Sequence, residues 1–343
     1  MSSFDVSKQW VLLSPVSFQA SVELSRYIDL LRKKSGIFLP PPRVIDASGP
    51  APDDSTPIIL LNAGDGGPKR NGYSWRLGKN RGEIYGDSNR GLCNGIFNFL
   101  SALGISWPEP DSEKLPAPAE HGAYPLAQDK AYAASAENGR RLIVPSGTKP
   151  KKTAAIVRWA ARNGCDAIVV SLRDPLPENA SLYSLITERG GWDLSLLVPR
   201  RYFFFHRDLF RMEEGRRTKQ YNFCPTNPRT ISLLKMEAAA AFKKGTNPEE
   251  SVRIWHLWPD RGHEKTWCSC PACRAFTPEE QNRIAVNAAA DVLAEIDPEA
   301  RLSCFPENTE ENGANKNPDA LEPKLSLRPN VFILKRLPDI NGV

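Results

Sequence analysis

After residue 138, continuous apolar runs alternate with amphipathic helical segments, and this pattern limits the fold more than any other feature of the chain. Strands that are apolar on both faces are typical of a parallel sheet covered by helices. The pattern predicts helices at 153–163, 228–244 and 278–296, the last starting with a capping box at Thr277 and Glu280. Six strands are predicted, at residues 141–145, 167–171, 202–205, 252–257, 302–305 and 331–334.

These spacings favour a (β/α)8-type TIM barrel over a dinucleotide-binding doubly wound sheet, because no glycine-rich phosphate loop follows the first strand. The Gly190-Gly191 pair is interpreted as a turn. A barrel of this type takes about 250 residues. Only about 205 residues follow residue 138, so we predict a barrel of about six strands that is incomplete at its C-terminus.

Residues 1–125 show a different pattern and predict a small α+β companion domain. Residues 108–138 are rich in Pro and Ala and predict a linker or wrapping segment, so the second domain is placed at 126–343. Within the first domain we expect helices at 18–34 and 89–103, with strands at 10–13, 57–62, 73–77 and 83–85.

Composition narrows the classes of function. The net charge of +5 is spread along 343 residues, which argues against nucleic-acid binding. No apolar run approaches the eighteen or so residues of a membrane span, and the N-terminus lacks a signal-peptide pattern. The sequence as written therefore predicts a cytoplasmic chain. It gives no prediction of oligomeric state.

The segment 258–273 has the densest chemistry of the chain, with acids, tryptophans and cysteines close together. Active groups of a barrel lie at the carboxyl ends of its strands, and glycoside hydrolysis usually takes two carboxyl groups. We predict Asp260 and Glu307, which follow the fourth and fifth strands, as the catalytic pair; the alternative is a turn cap and a solvated loop acid. Predicted substrate contacts are Arg173, His206, Trp258, Trp267 and Arg336.

Four of the seven cysteines form a second candidate site: Cys224, Cys268, Cys270 and Cys273. They could hold a structural zinc ion, since four thiolates leave no open position for catalysis. Disulfides in an oxidising compartment and unlinked thiols are the two alternatives. The other three cysteines lie in or beside apolar runs and are expected to be ordinary buried thiols.

Several motifs resemble those of a family, the bacterial proteins with domain of unknown function 4838. They are 82–91 with the helix after it, 206–210 with 222–228, and Asp260 followed by Trp267-Cys268-x-Cys270-x-x-Cys273. The first part of the chain is similar to the small α/β domain that precedes the barrel in β-hexosaminidases and α-glucuronidases. The resemblance implies a glycoside-hydrolase-like architecture that acts on carbohydrate, and an exported or periplasmic location, but it assigns no catalytic pair.

Two functions follow from the sequence. The first is a glycoside-hydrolase-like enzyme acting on an oligosaccharide or polysaccharide. The second is a non-catalytic carbohydrate-binding or scaffold protein with a structural cysteine cluster. A zinc-dependent nucleic-acid binder is disfavoured, because the charge is diffuse and no finger-like ligand set is present.

Overall fold

The fold is described by a computed structural model covering residues 3–14, 19–46, 53, 55–64, 71–128, 130–133, 139–247, 250–260, 265–304 and 325–334. Two mixed or parallel sheets of six strands each dominate it. The first sheet has the order β3-β2-β4-β6-β5-β8, and β1 pairs with β7 apart from it. Its unit contains β1 (Ser3–Asp5), β2 (Val11–Ser14), α1 (Gln19–Lys34), β3 (Arg43–Asp46), β4 (Ile58–Ala63), β5 (Tyr73–Leu77), β6 (Arg81–Gly86), α2 (Asn89–Ala102), β7 (Ala123–Pro125) and β8 (Lys130–Ala133).

The second unit contains β9 (Arg141–Ile143), α3 (Pro150–Arg162), β10 (Ala167–Val170), β11 (Ile186–Gly191), β12 (Met212–Glu213), β13 (Arg216–Arg217), α4 (Pro228–Gly245), β14 (Thr246–Asn247), β15 (Glu250–Ser251), β16 (Ile254–Leu257), α5 (Pro278–Ile296), β17 (Arg301–Cys304) and β18 (Val331–Ile333). Its sheet follows chain order, β9-β10-β11-β16-β17-β18, and all its pairs are parallel. This is the order of successive barrel strands. Within the described residues, β9 and β18 each pair on one side only, so these strands do not close a complete barrel.

The predicted helices of both units are present, and the capping box of α5 is confirmed by both of its hydrogen bonds. Strand β8, at residues 130–133, belongs to the first sheet and pairs with β5. No helix in the described ranges is long and apolar enough to cross a membrane.

The third strand of the second sheet was predicted wrongly. Residues 202–204 belong to a 3-10 helix, Arg200–Phe204, and Phe205 follows its end; Phe204 is 69% exposed. The strand at this place is β11, which ends in the two glycines that we interpreted as a turn. Both have positive φ values, 104° and 121°. A Cβ on Gly190 would lie 1.9 Å from the carbonyl oxygen of His256, so this strand needs glycine to reach β16.

The two faces of the second sheet differ in chemistry. Trp255 and Leu257 belong to the apolar cluster that contains α4 and α5 side chains. The alternating residues Glu188, His256 and Ser303 lie on the opposite face and are fully buried. Buried polar side chains from three of the strands therefore lie on the face that α4 and α5 do not cover.

Candidate functional site

A buried hydrogen-bond network joins four strands of the second sheet. The carboxylate of Glu188 accepts from Nε of Arg141 at 2.8 Å and from Nε2 of His256 at 2.7 Å. Nδ1 of His256 lies 2.5 Å from Oγ of Ser303. Burial works to raise the pKa of Glu188, but His256 and Arg141 outweigh it and hold that pKa below its ordinary value.

Trp258 extends this network towards the carboxyl ends of the strands. Its Nε1 donates to Oγ of Ser303 at 2.9 Å, and its ring meets Trp192 edge to face at 5.3 Å between centroids. The ring of Trp258 is fully buried. Trp258, predicted as a substrate contact, is thus packed beneath the carboxyl ends of the strands.

Asp260 lies at the carboxyl end of β16, as predicted, and its carboxylate is held by two side chains. Oγ of Ser195 donates to one oxygen at 3.0 Å, and a terminal nitrogen of Arg200 donates to the other at 3.0 Å. The Asp260 side chain is 22% exposed. A ligand at this edge of the sheet can therefore reach an oriented carboxylate.

The sequence did not single out Asp193, a second acid at the same edge. It closely follows β11, is 7% exposed, and accepts a hydrogen bond from the main-chain N–H of Leu172 at 2.7 Å. Burial raises the pKa of its carboxyl group, although the bonds from Leu172 and Ser171 oppose this. The only sequence signal would have been its place after the two glycines of β11.

The other predicted site residues lie in different surroundings. Arg173 is exposed at the end of β10, close enough to Asp193 to act on its charge. His206 contacts Arg229 at 3.1 Å from Nδ1. Trp267 is 5% exposed and its ring meets Phe223 edge to face. Glu307 and Arg336 lie outside the described residues.

The four predicted cysteines come together in one buried cluster. Their sulfur atoms all lie within 4.8 Å of one another, and Sγ of Cys224 is 3.7 Å from that of Cys270 and 3.6 Å from that of Cys273. Tetrahedral zinc with bonds of about 2.3 Å would separate its sulfur ligands by about 3.8 Å. All seven cysteines lie in the described residues, and no disulfide joins any two of them. The spacing fits a tetrahedral metal site and is too long for a disulfide bond.

Hydrogen-bond donors surround these sulfur atoms. The N–H of Met212 donates to Sγ of Cys268 at 3.3 Å, and Arg217 approaches the same atom at 3.7 Å. The neighbouring thiols hold the pKa of Cys224 well below its ordinary value. Gln281 of α5 binds the N–H of Cys268 and the carbonyl oxygens of Cys268 and Cys273. Such a pre-arranged shell is typical of sites that bind a metal through thiolates.

Comparison with solved structures shows that the chain has a glycoside-hydrolase-like fold. Similar structures include the family 20 chitobiase of Flavobacterium johnsoniae, with TM-score 0.57, 12% identity, and coverage of 89% of this chain and 50% of that one. The β-N-acetylhexosaminidase of Streptomyces coelicolor A3(2) gives TM-score 0.53, 12% identity, and coverage of 97% and 66%. The exo-β-N-acetylglucosaminidase of Vibrio harveyi, solved with N-acetylglucosamine, gives TM-score 0.51, 12% identity, and coverage of 97% of this chain and 54% of that one.

The chain thus spans about half to two thirds of the length of these enzymes. No protein-family model and no curated protein sequence matches it. The resemblance to the domain of unknown function 4838 family therefore stays a prediction.

Proposed function

We propose that this protein is glycoside-hydrolase-like and acts on an oligosaccharide or polysaccharide at the carboxyl edge of its parallel sheet. The observation that carries the proposal is the Asp260 carboxylate, part-exposed at the end of β16 and oriented by Ser195 and Arg200. The solved family 20 enzymes with this fold include one in complex with N-acetylglucosamine. A β-linked N-acetylhexosamine is accordingly the first substrate class to test.

In this proposal Asp260 and Glu307 form the catalytic carboxyl pair. Arg173 is exposed at the same edge, and His206 is part-exposed in the loop after β11, so both are proposed to bind sugar hydroxyl groups. The burial of Trp258 and Trp267 argues against direct stacking on a sugar ring, so their role is to support the strand ends and the loop. Arg336 is proposed as a further substrate contact.

Aryl glycosides test this assignment. Replacing an essential acid or base removes roughly 10²- to 10⁴-fold of rate, so Asp260→Asn and Glu307→Gln should each lower kcat by about that amount with aryl N-acetyl-β-glucosaminides. Asp111→Asn, in the first unit, is the control and should keep wild-type activity. Wild-type rates in both site variants would contradict the pair.

A non-catalytic carbohydrate-binding function is the second candidate, and one observation favours it. Both oxygens of Asp260 are already occupied, one by Ser195 and the other by an ion pair with Arg200. Binding of chitin oligosaccharides without hydrolysis by the wild-type protein would establish this function in place of the first.

We also propose that Cys224, Cys268, Cys270 and Cys273 bind one structural zinc ion. Protein purified under reducing conditions should contain about one zinc per chain, because four thiolates bind zinc tightly and completely. Cys270→Ser should lose the metal, whereas Cys165→Ser, a buried thiol of the main core, should retain it. Absence of metal together with fewer than seven free thiols after unfolding would instead establish disulfides.

A further inference from the structure

The four cysteines lie between two loops that reach the carboxyl edge from neighbouring strands. The first loop, residues 192–227, runs from β11 to α4 and carries Cys224. The second loop, residues 258–277, runs from β16 to α5 and carries the other three cysteines; it is described at 258–260 and 265–277. A metal ion bound by all four ligands would therefore join the first loop to the second.

Asp260 belongs to the second loop, but the side chains that hold it come from the first. Ser195 and Arg200 donate to its carboxylate, each at 3.0 Å. Its main-chain N–H donates to Oδ1 of Asn222 at 2.9 Å. The orientation of the acid consequently depends on where the first loop lies.

Asn222 is the residue that connects this acid to the cysteine cluster. It is fully buried, and its Nδ2 donates to the carbonyl oxygens of Asp260 at 3.4 Å and Thr266 at 3.3 Å. Its N–H also donates to the oxygen of Thr266 at 3.3 Å. Cys224 follows Asn222 by two residues, and Cys268 follows Thr266 by two. Each side of this connection thus leads directly to a sulfur ligand.

Two further hydrogen bonds join the first loop to the second. The N–H of Ser269 donates to the carbonyl oxygen of Met212 at 2.9 Å. The buried guanidinium of Arg211 donates to the carbonyl oxygen of Lys265 at 2.6 Å. These contacts fix the position of the first loop relative to the second, between the cysteine cluster and Asp260.

We infer that the four-cysteine metal centre positions Asp260 through Asn222, so that metal loading controls the order of the candidate catalytic edge. Asn222 is a positioning residue, because it touches the main chain of the acid and not the reacting atoms. The inference deepens the proposed function and rests on it for the catalytic role of Asp260. The physical link between the metal site and Asp260 depends only on the hydrogen bonds of Asn222 and not on the proposed activity.

Hydrogen exchange at the amide of Asp260 tests this link, because that amide donates to Asn222. Loss of one buried hydrogen bond corresponds to about tenfold faster local exchange. We expect this change when the zinc-loaded chain is stripped with a chelator, and reversal when zinc is added back. Exchange in β2 and β4 of the first unit should stay slow.

Variants of the full chain separate the link from general damage. Asn222→Ala should speed exchange at Asp260 about tenfold while zinc remains bound. Asn222→Asp keeps an oxygen for that amide but loses the two Nδ2 hydrogen bonds to the carbonyl oxygens of Asp260 and Thr266, so exchange at Asp260 should lie between that of wild type and that of Asn222→Ala. Asn287→Ala is the matched control, because this asparagine also joins a main-chain donor and acceptor, Arg328 N at 3.0 Å and Ser326 O at 2.9 Å.

An unchanged Asp260 amide in the stripped protein, or in Asn222→Ala, would overturn the inference. If removal of zinc speeds exchange throughout the protein, exchange at Asp260 in the zinc-bound Asn222→Ala protein decides whether Asn222 holds the acid. The measurement needs no substrate, so it separates the two proposals: responsive exchange without any hydrolysis would retain the link and reject the catalytic role. With hydrolysis present, Asn222→Ala should lower kcat more than it raises KM, and Asn222→Asp should recover part of the lost kcat.

Discussion

Two buried acids of the second unit show how neighbouring groups set the charge of a carboxyl group. Glu188 is surrounded by Arg141 and His256, and its pKa is lowered despite burial. Asp193 has hydrogen bonds from Leu172 and Ser171, but burial outweighs them and its pKa is raised. One strand and the loop after it thus carry carboxyl groups with opposite tendencies, which is how acid and base roles become separated in active sites.

The raised pKa of Asp193 predicts a pH-dependent effect of Asp193→Asn. A carboxyl group whose folded pKa exceeds its unfolded value, about 3.9 for Asp, stabilises the fold below that value and loses this contribution as pH rises through the folded pKa. The neutral variant should therefore gain stability relative to wild type as pH rises from about 4 through the folded pKa of Asp193. Urea unfolding at several pH values measures the difference.

Asp193→Ala is the companion variant, because it removes the acceptor for the N–H of Leu172 as well as the charge. It should be less stable than Asp193→Asn at every pH. A stability difference between wild type and Asp193→Asn that does not change with pH would contradict the assignment.

At the scale of elements, β11 is the strand that depends most on backbone conformation. Gly190 combines a φ of 104° with a main-chain contact to β16 that excludes any Cβ. Its side-chain pattern is Ile-Thr-Glu-Arg-Gly-Gly, and Glu188 and Arg189 are both buried. This strand is therefore stabilised by pairing and buried hydrogen bonds more than by apolar side chains.

Gly190→Ala should cost more than about 3 kcal/mol of unfolding free energy, since left-handed backbone strain and overpacking add at this position. Gly147→Ala is the control, because Gly147 has a φ of 75° and a Cβ added there would meet nothing within 4 Å. It should cost about 1–2 kcal/mol from backbone strain alone. Equal losses in the two variants, measured by chemical unfolding, would show that the approach to His256 is unimportant.

The sequence was informative where side-chain periodicity determines structure and uninformative where the backbone does. The helices and five of the six predicted strands of the second sheet were found from apolar patterns. The exposed aromatic run 202–205 imitated a strand, whereas β11 has too few apolar residues to be recognised. The clustering of Cys268, Cys270 and Cys273 was predicted from their spacing, and Cys224 was added on the expectation that the third and fourth strands are neighbours. Asn222 and Asp193 are defined by contacts that only the folded chain makes.

At the scale of the whole molecule, the two units share a core and a buried polar interface. One apolar cluster contains side chains from α1, α2 and α3. Across it, Glu23 pairs with Arg162 at 2.8 Å and accepts from the hydroxyl of Tyr183 at 2.5 Å. Nε1 of Trp159 donates to the carbonyl oxygen of Trp107 at 2.8 Å. The companion unit is thus part of the support of the second sheet.

Glu23→Ala should destabilise both units together by about 3–5 kcal/mol, because it leaves the buried Arg162 without its partner. Glu83→Ala removes the exposed ion pair with Arg76 and should cost no more than about 1 kcal/mol. Hydrogen exchange in β2 and β4 of the first unit and in β10 and β16 of the second measures the effect in each unit. Faster exchange in only one of the two units of Glu23→Ala would show that the interface does not couple them.

The strict chain order of the second sheet has a consequence for how the protein is made. Every strand of this sheet after β9 pairs with the strand of the same sheet that precedes it in the chain. During synthesis, the pairing partner of each new strand has therefore already been made. Nearest-neighbour pairing of this kind keeps the loops that must close short, which speeds folding and suits assembly from the N-terminal end on the ribosome. The cysteine cluster follows the same order of synthesis. Cys224 is made first, and its three partners are made together in the following βα unit.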